Sequence, residues 1–143
     1  YLLREEGLDP QRLEELLYRQ SGLLGLSGVS NDLRRLHASQ DPRADQAIDY
    51  FVYRIGQTLG ALAASLGGLD ALVFTAGVGE NDAEVRRRVC RDAAWLGVEL
   101  DQEANRGRGP LISGPDSPVS AWVISTNEEQ MIALHTHRVL TGA

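Results

Sequence analysis

The segment Ala71-Leu-Val-Phe-Thr-Ala-Gly-Val-Gly-Glu-Asn81 constrains the fold more than any other stretch of this chain. An apolar run with β-branched residues leads straight into Gly-x-Gly and then into a helix start. A strand that hands over to a helix through so short a glycine turn belongs in an α/β sheet. At its carboxyl end the backbone can come close to a nucleotide. The plainer alternative is an ordinary strand-to-helix turn, where glycines supply unusual backbone angles and Asn81 caps the helix. Glu84, three residues on, then completes a capping-box pattern. A dinucleotide fingerprint needs a third glycine where Asp82 stands, so a Rossmann site does not fit. Glu80, Asp82 and Glu84 crowd the helix start. A nucleoside, or a phosphate bridged by magnesium, therefore suits the turn better than a naked polyphosphate.

Elsewhere the pattern alternates helix and strand. Asp9-Pro10 reads as an N-cap followed by proline at the first helical position, with Leu13, Leu16 and Leu17 as an apolar stripe ending near Gly22. Residues 21–31 are glycine-, serine- and leucine-rich and read as loop, and a short helix is expected over 32–37. Asp41-Pro42 opens a long helix, in which Ile48, Phe51, Val52, Ile55, Leu59, Leu62, Ala63 and Leu66 keep i, i+3, i+4 spacing until Gly67-Gly68. Gly56 and Gly60, one turn apart in that helix, permit close approach of another backbone. Residues 71–75 read as a buried strand. Residues 81–96 read as a helix with Val85, Val89, Ala93 and Leu96 on one face. A short strand over 98–100, an exposed loop over 106–118, a strand over 119–125 and a closing helix over 127–140 complete the chain. This is α/β, but two secure strands make an incomplete sheet. The remaining strands are expected from residues outside this chain.

Charge and composition exclude several functions. Acidic side chains outnumber basic ones 20 to 14, a net charge of -6, which argues against a nucleic-acid partner. All the basic residues are arginine. Without a lysine, a Walker-type phosphate lysine, a protein-kinase strand lysine and a Schiff base are excluded within this chain. The single Cys90 cannot form an internal disulfide, so a reducing, cytoplasmic compartment is expected. No apolar run is long enough to span a bilayer. The chain begins at Tyr1 rather than methionine and is expected to be a fragment.

Two further constellations could carry chemistry. In Asn31-Asp32-Leu33-Arg34, a helix start with Asn31 as cap and Asp32 in the first turn explains the first two residues but not Arg34, which suits the wall of a polar site. In Thr126-Asn127-Glu128-Glu129, Thr126 as cap places Glu129 at the third helical position. That leaves Glu128 as a free carboxylate for magnesium. A helix starting one residue later exchanges the two roles. His135 and His137 diverge on their helix and cannot share a metal, and Arg86, Arg87, Arg88 and Arg91 read mostly as a solvated face around a half-buried Cys90.

Four landmarks, in this order, resemble the C-terminal part of the acetate kinase (acetokinase) family. They are Ser21-Gly-Leu-Leu-Gly-Leu-Ser-Gly28 leading into Ser30-Asn-Asp-Leu-Arg34, then Phe74-Thr-Ala-Gly-Val-Gly-Glu-Asn81, Trp95-Leu-Gly-Val98 and Ile124-Ser-Thr-Asn-Glu-Glu129. The departures are mild: Leu33 stands where that family also uses larger apolar residues, and Val78 where isoleucine is usual. The resemblance implies an incomplete ribonuclease H-like nucleotide-binding domain of the actin, heat-shock chaperone and sugar-kinase type, with ATP in an interdomain cleft. Residues 1–126 would be part of that C-terminal domain, and 127–143 a closing helix packed on a missing first domain. The implied reaction converts ATP and acetate to ADP and acetyl phosphate with magnesium.

Carried over residue by residue, Asp32, Leu33, Arg34, Gly77, Val78, Gly79, Glu80 and Asn81 would bind the ATP/ADP adenosine, and Glu128 would be the magnesium carboxylate. The family's phosphate loop, catalytic aspartate, arginines and histidines precede this segment. No catalytic residue is therefore expected here, and the isolated chain is expected to be inactive, with exposed apolar patches. The full-length protein is expected to be a cytoplasmic homodimer. The alternatives are a propionate or butyrate kinase fragment, or a non-catalytic nucleotide-binding module.

Overall fold

The computed structural model describes residues 1–107 and 109–142. The chain divides into two units, Tyr1–Gly60 and Ala61–Ala143.

The first unit starts as its sequence dictates. Helix α1 (Pro10–Glu15) has proline in its first turn, and the Asp9 carboxylate accepts from the Arg12 amide at 2.8 Å. A π-helical turn, Leu16–Gln20, continues it. Residues 22–27, expected as loop, form helix α2 (Gly22–Ser27). The local composition has little helix propensity. The stretch is organised by buried Ser27, whose hydroxyl donates to the Leu23 carbonyl at 2.7 Å and accepts from the Val29 amide at 3.0 Å. Helix α3 (Leu33–His37) is capped by Asp32, not by Asn31 as expected. Helix α4 (Pro42–Leu66) follows Asp41, whose carboxylate accepts from the Arg43 amide at 2.9 Å. Within this unit its buried stripe is Ala44, Ala47, Ile48 and Val52, which with Leu33 and Leu36 supply the apolar core; Ala63, farther along the helix, is buried in the second unit.

Strands β1 (Ala71–Phe74) and β2 (Ser120–Val123) of the second unit pair in parallel, with Ala71 opposite Ser120 and Phe74 opposite Val123. β1 is not the buried strand expected. Its burial alternates and Val73 is 48% exposed, because a two-stranded sheet cannot cover both of its faces. The single helix expected over 81–96 is three pieces: α5 (Ala76–Asn81), α6 (Ala83–Asp92) and a 3-10 turn, Ala94–Leu96. Asn81 is not the cap. Its side-chain amide donates back to the Gly77 carbonyl at 2.9 Å, and Asp82 caps α6 by accepting from the Val85 amide at 2.9 Å.

Helix α7 (Gln102–Gly107) falls partly within the expected loop over 106–118. That stretch is not an open loop: Ile112 is fully buried, its amide donates to the Ala121 carbonyl at 2.8 Å, and bridges join Leu100 to Ser113 and Leu111 to Trp122. Arg108, within that stretch, lies outside the described residues. Val85, Val89, Cys90, Ala93, Val98, Ile112, Val119 and Ala121 make the apolar core of this unit. Helix α8 (Glu128–Thr141) buries none of its residues. Among the described residues no helix is long and apolar enough to cross a membrane.

Candidate functional site

Parallel pairing brings the carboxyl ends of β1 and β2 to the same edge of the sheet, where α/β folds place their ligands. The β1–α5 turn and the β2–α8 turn therefore emerge side by side. The Ile124 amide extends the ladder by donating to the Phe74 carbonyl at 2.9 Å. Beyond it, the Glu80 carboxylate accepts from the Thr126 amide at 3.1 Å and ties the turns together. The Thr126 amide, with Ser125 beside it, holds the Glu80 carboxyl below its ordinary pKa.

The three acids that crowd this helix start are each engaged. Glu80 holds Thr126, Asp82 caps α6, and Glu84 pairs with Arg87 at 2.6 Å and with Arg88 at 2.8 Å. Hydrogen bonding from Arg87, opposed by partial burial and reinforced by Arg88, lowers the Glu84 carboxyl to about 2. Glu84 consequently does not complete a capping box.

The two glycines of the turn have different reasons to be there. A Cβ on Gly79 would lie 3.1 Å from the Phe74 carbonyl carbon and 3.3 Å from its Cα, so close packing on β1 requires glycine. A Cβ on Gly77 would meet nothing within 4 Å. Nothing inside the described chain asks for glycine at that position. Ala76, just before it, has φ 57°, a left-handed conformation that costs a residue with a Cβ about 1–2 kcal/mol.

Arg86 was expected on a solvated arginine face and is instead 1% exposed. Its Nη1 donates to the Gly79 carbonyl at 2.8 Å and the Glu80 carbonyl at 3.0 Å. Its Nε and Nη2 donate to the Oδ1 and carbonyl of Asn105 at 2.7 and 2.8 Å. Sequence reasoning missed both residues. The available signal was spacing, since Arg86 shares a helix face with Val89 and Cys90, but the neighbouring arginines masked it. Cys90 is fully buried, not half-buried. Burial pushes its thiol up to about 11 against the opposing effect of Arg86, so it is no reactive thiolate.

At the β2–α8 turn the cap is Asn127, whose Oδ1 accepts from the Gln130 amide at 2.9 Å. The helix thus starts one residue later than Thr126 would place it. The third helical position is then Gln130, so neither Glu128 nor Glu129 has a capping-box role and the expected exchange does not follow. Both carboxylates sit in the exposed first turn, where the helix dipole favours them. Among the described residues Glu128 has no hydrogen-bond or ion-pair partner, and no group of three or more His, Cys, Asp or Glu residues forms a metal cage. The first turn thus presents two exposed carboxylates, Glu128 and Glu129, and magnesium takes one or two carboxylates and completes its shell with water and phosphate oxygens.

Asp32, Leu33 and Arg34 lie in the first unit. The Asp32 carboxylate accepts from the Arg34 amide at 2.9 Å and takes Arg34 Nη2 at 2.6 Å. Those hydrogen bonds hold the Asp32 carboxyl at about 2 and raise the guanidinium. Leu33 is a core residue, 8% exposed. Of the three side chains, Arg34 is the one most available to a ligand, with 90% of its side chain exposed.

A model of the acetokinase family matches residues 1–134. An acetate kinase of Rhodopseudomonas palustris (strain TIE-1) is 59% identical over 99% of this chain and 36% of its own length, and one of Nitrobacter hamburgensis is 55% identical over 98% and 35%. The chain spans about a third of the length of the curated relatives it matches. Among solved structures, the Porphyromonas gingivalis acetate kinase aligns with a TM-score of 0.85 and 43% identity, over 97% of this chain and 36% of that one. A propionate kinase from Francisella tularensis aligns with a TM-score of 0.82 and 36% identity, over 93% of this chain and 35% of that one. The fold is ribonuclease H-like α/β, and this chain carries part of it.

Proposed function

Because the chain belongs to the acetokinase family, we propose that it forms the nucleotide side of an acetate kinase, whose whole chain transfers the ATP γ-phosphoryl group to acetate to give ADP and acetyl phosphate. The observation that carries this reading is the stitched pair of turns at the carboxyl edge of the sheet. One turn offers an open glycine, Gly77, and the other an exposed carboxylate, Glu128, with the Glu80–Thr126 bond fixing them side by side. Gly77, Val78, Gly79, Glu80 and Asn81 are proposed nucleotide contacts, made largely through backbone, since Glu80 and Asn81 use their side chains internally. Asp32, Leu33 and Arg34 are proposed adenosine contacts, with the exposed Arg34 guanidinium as the main side-chain surface.

Glu128 would hold magnesium together with phosphate oxygens. When bound, the ion supplies charge neutralisation for phosphoryl transfer, a reaction that depends on positioning more than on covalent chemistry. None of these residues is placed as acid, base or nucleophile, so the catalytic groups are assigned to the remaining two-thirds of the family's length. Residues 127–143 are proposed to pack on that missing part, in keeping with a helix α8 that buries none of its residues here. A cytoplasmic homodimer is proposed for the full-length protein. The match to a propionate kinase favours a second reading with a longer acyl acceptor, because acyl selectivity does not rest on residues assigned here.

The test measures acyl phosphate as its hydroxamate, with ATP, magnesium and either acetate or propionate. The full-length protein is expected to turn over with acetate, and the 143-residue chain alone is expected to remain at background. Turnover by the isolated chain would overturn the placement of the catalytic groups. No product with the full-length protein would overturn the kinase reading itself.

A further inference from the structure

We infer that Arg86, anchored by Asn105, is a positioning residue that sets the nucleotide turn. The inference rests on the reading of residues 77–81 as nucleotide contacts. The turn has little stability of its own: α5 and α7 are six residues each, far below the length at which an isolated helix persists in water. Their placement must come from tertiary bonds.

The Arg86 guanidinium supplies those bonds from within the core. It gathers the carbonyls of Gly79 and Glu80 at the carboxyl end of α5 and both oxygens of Asn105 in α7. Asn105, itself buried, turns its side-chain amide to the Ala83 carbonyl at 2.9 Å, at the start of α6. One bracket therefore joins the end of the turn, the helix that follows it and the helix packed beside it.

An apolar side chain at this position would avoid desolvating a charge, but it would leave the carbonyls of Gly79, Glu80 and Asn105 without this donor. What only a planar guanidinium offers is a fixed fork of donors, and here the fork grips backbone at a proposed site. The bracket also reaches further. Arg86 holds the Glu80 carbonyl while the Glu80 carboxylate holds the Thr126 amide, so the chain of bonds runs from Asn105 to the turn that presents Glu128.

The test uses the full-length protein with Arg86→Lys, which keeps the charge but loses the fork, and Asn105→Asp, which keeps an acceptor for Arg86 but loses the donor to Ala83. Val98→Ala, a buried core truncation outside the bracket, controls for general destabilisation. The expected result for both bracket variants is a KM for ATP raised about tenfold, which is about 1.4 kcal/mol of binding. Their KM for acetate should stay within about twofold, and Val98→Ala should lower the melting temperature without moving the KM for ATP. An unchanged KM for ATP in the bracket variants, or an equal rise in Val98→Ala, would overturn the inference. Should Arg86→Lys fail to fold, Asn105→Asp decides by the same criterion. Hydrogen exchange reads the bracket independently of activity: both variants should speed exchange of the Asp82 amide, which donates to Val78 in α5. Unaltered exchange would refute the bracket, whereas an unsubstituted protein that neither binds ADP nor makes acetyl phosphate would refute the functional reading instead.

Discussion

Replacing Gly77 with alanine separates a glycine kept for a ligand from one kept for packing. The added Cβ meets nothing within 4 Å, and Gly77 is not among the glycines with positive φ. With the backbone already compatible, alanine lowers the entropy of the unfolded chain and should stabilise the fold by about 0.5–1 kcal/mol. The same change at Gly79 places a Cβ 3.1 Å from the Phe74 carbonyl carbon, and strand backbone cannot swing aside as a flexible side chain would. Overpacking of that kind costs about 1–3 kcal/mol. The melting temperatures of the two variants should therefore move in opposite directions.

Nucleotide affinity should not follow stability. If a phosphate or ribose approaches the turn at Gly77, the new methyl occupies its place, and the KM for ATP should rise about tenfold or more, about 1.4 kcal/mol or more of lost binding. Thermal melts and initial rates against ATP on the full-length protein read both effects. A Gly77→Ala protein that melts higher and keeps the wild-type KM would refute nucleotide approach at this position. One that melts lower would refute the open-space argument on which the prediction is built.

At the other turn, Asn127→Ala removes the bond to the Gln130 amide and should cost α8 about 1 kcal/mol, a roughly fivefold loss of amide protection by hydrogen exchange. Glu129→Ala should cost less than that, and an equal or greater cost would restore the capping-box role denied to it here. Glu128→Ala should leave the melt nearly unchanged but raise the magnesium requirement, and a magnesium titration matching wild type would remove it from the metal site. Cys90 provides the pH prediction. Its folded pKa of about 11 lies above its ordinary value of 9.0, so the native state binds this proton more tightly. Its contribution is complete below pH 9 and is lost as pH rises through the interval up to about 11. Denaturant midpoints of wild type and Cys90→Ala should therefore converge across that interval, and parallel curves would refute the assignment.

What could be read from sequence was local. Proline after aspartate marked the starts of α1 and α4, because an N-cap and the proline ring act within a single turn. The apolar run into Gly-x-Gly marked β1 and its turn, and the order of landmarks placed the chain among the acetokinases. The misplaced caps at Asn31, Asn81 and Thr126 share one cause. Each has a competent polar neighbour immediately after it, and tertiary packing decides which of two adjacent residues begins the helix.

The site itself depends on pairing between distant segments. Thr126 reaches Glu80 across 46 positions, and Arg86 reaches Asn105 across 19. No local periodicity encodes such partners. Burial of Ile112 and Ala121 holds the irregular stretch beside β2, and parallel register then brings both turns to one edge. Sequence therefore offered candidate residues for a nucleotide and a cation. Only the folded chain decided which carboxylates were already engaged and which arginine was internal, because desolvation and hydrogen-bond satisfaction depend on neighbours in space.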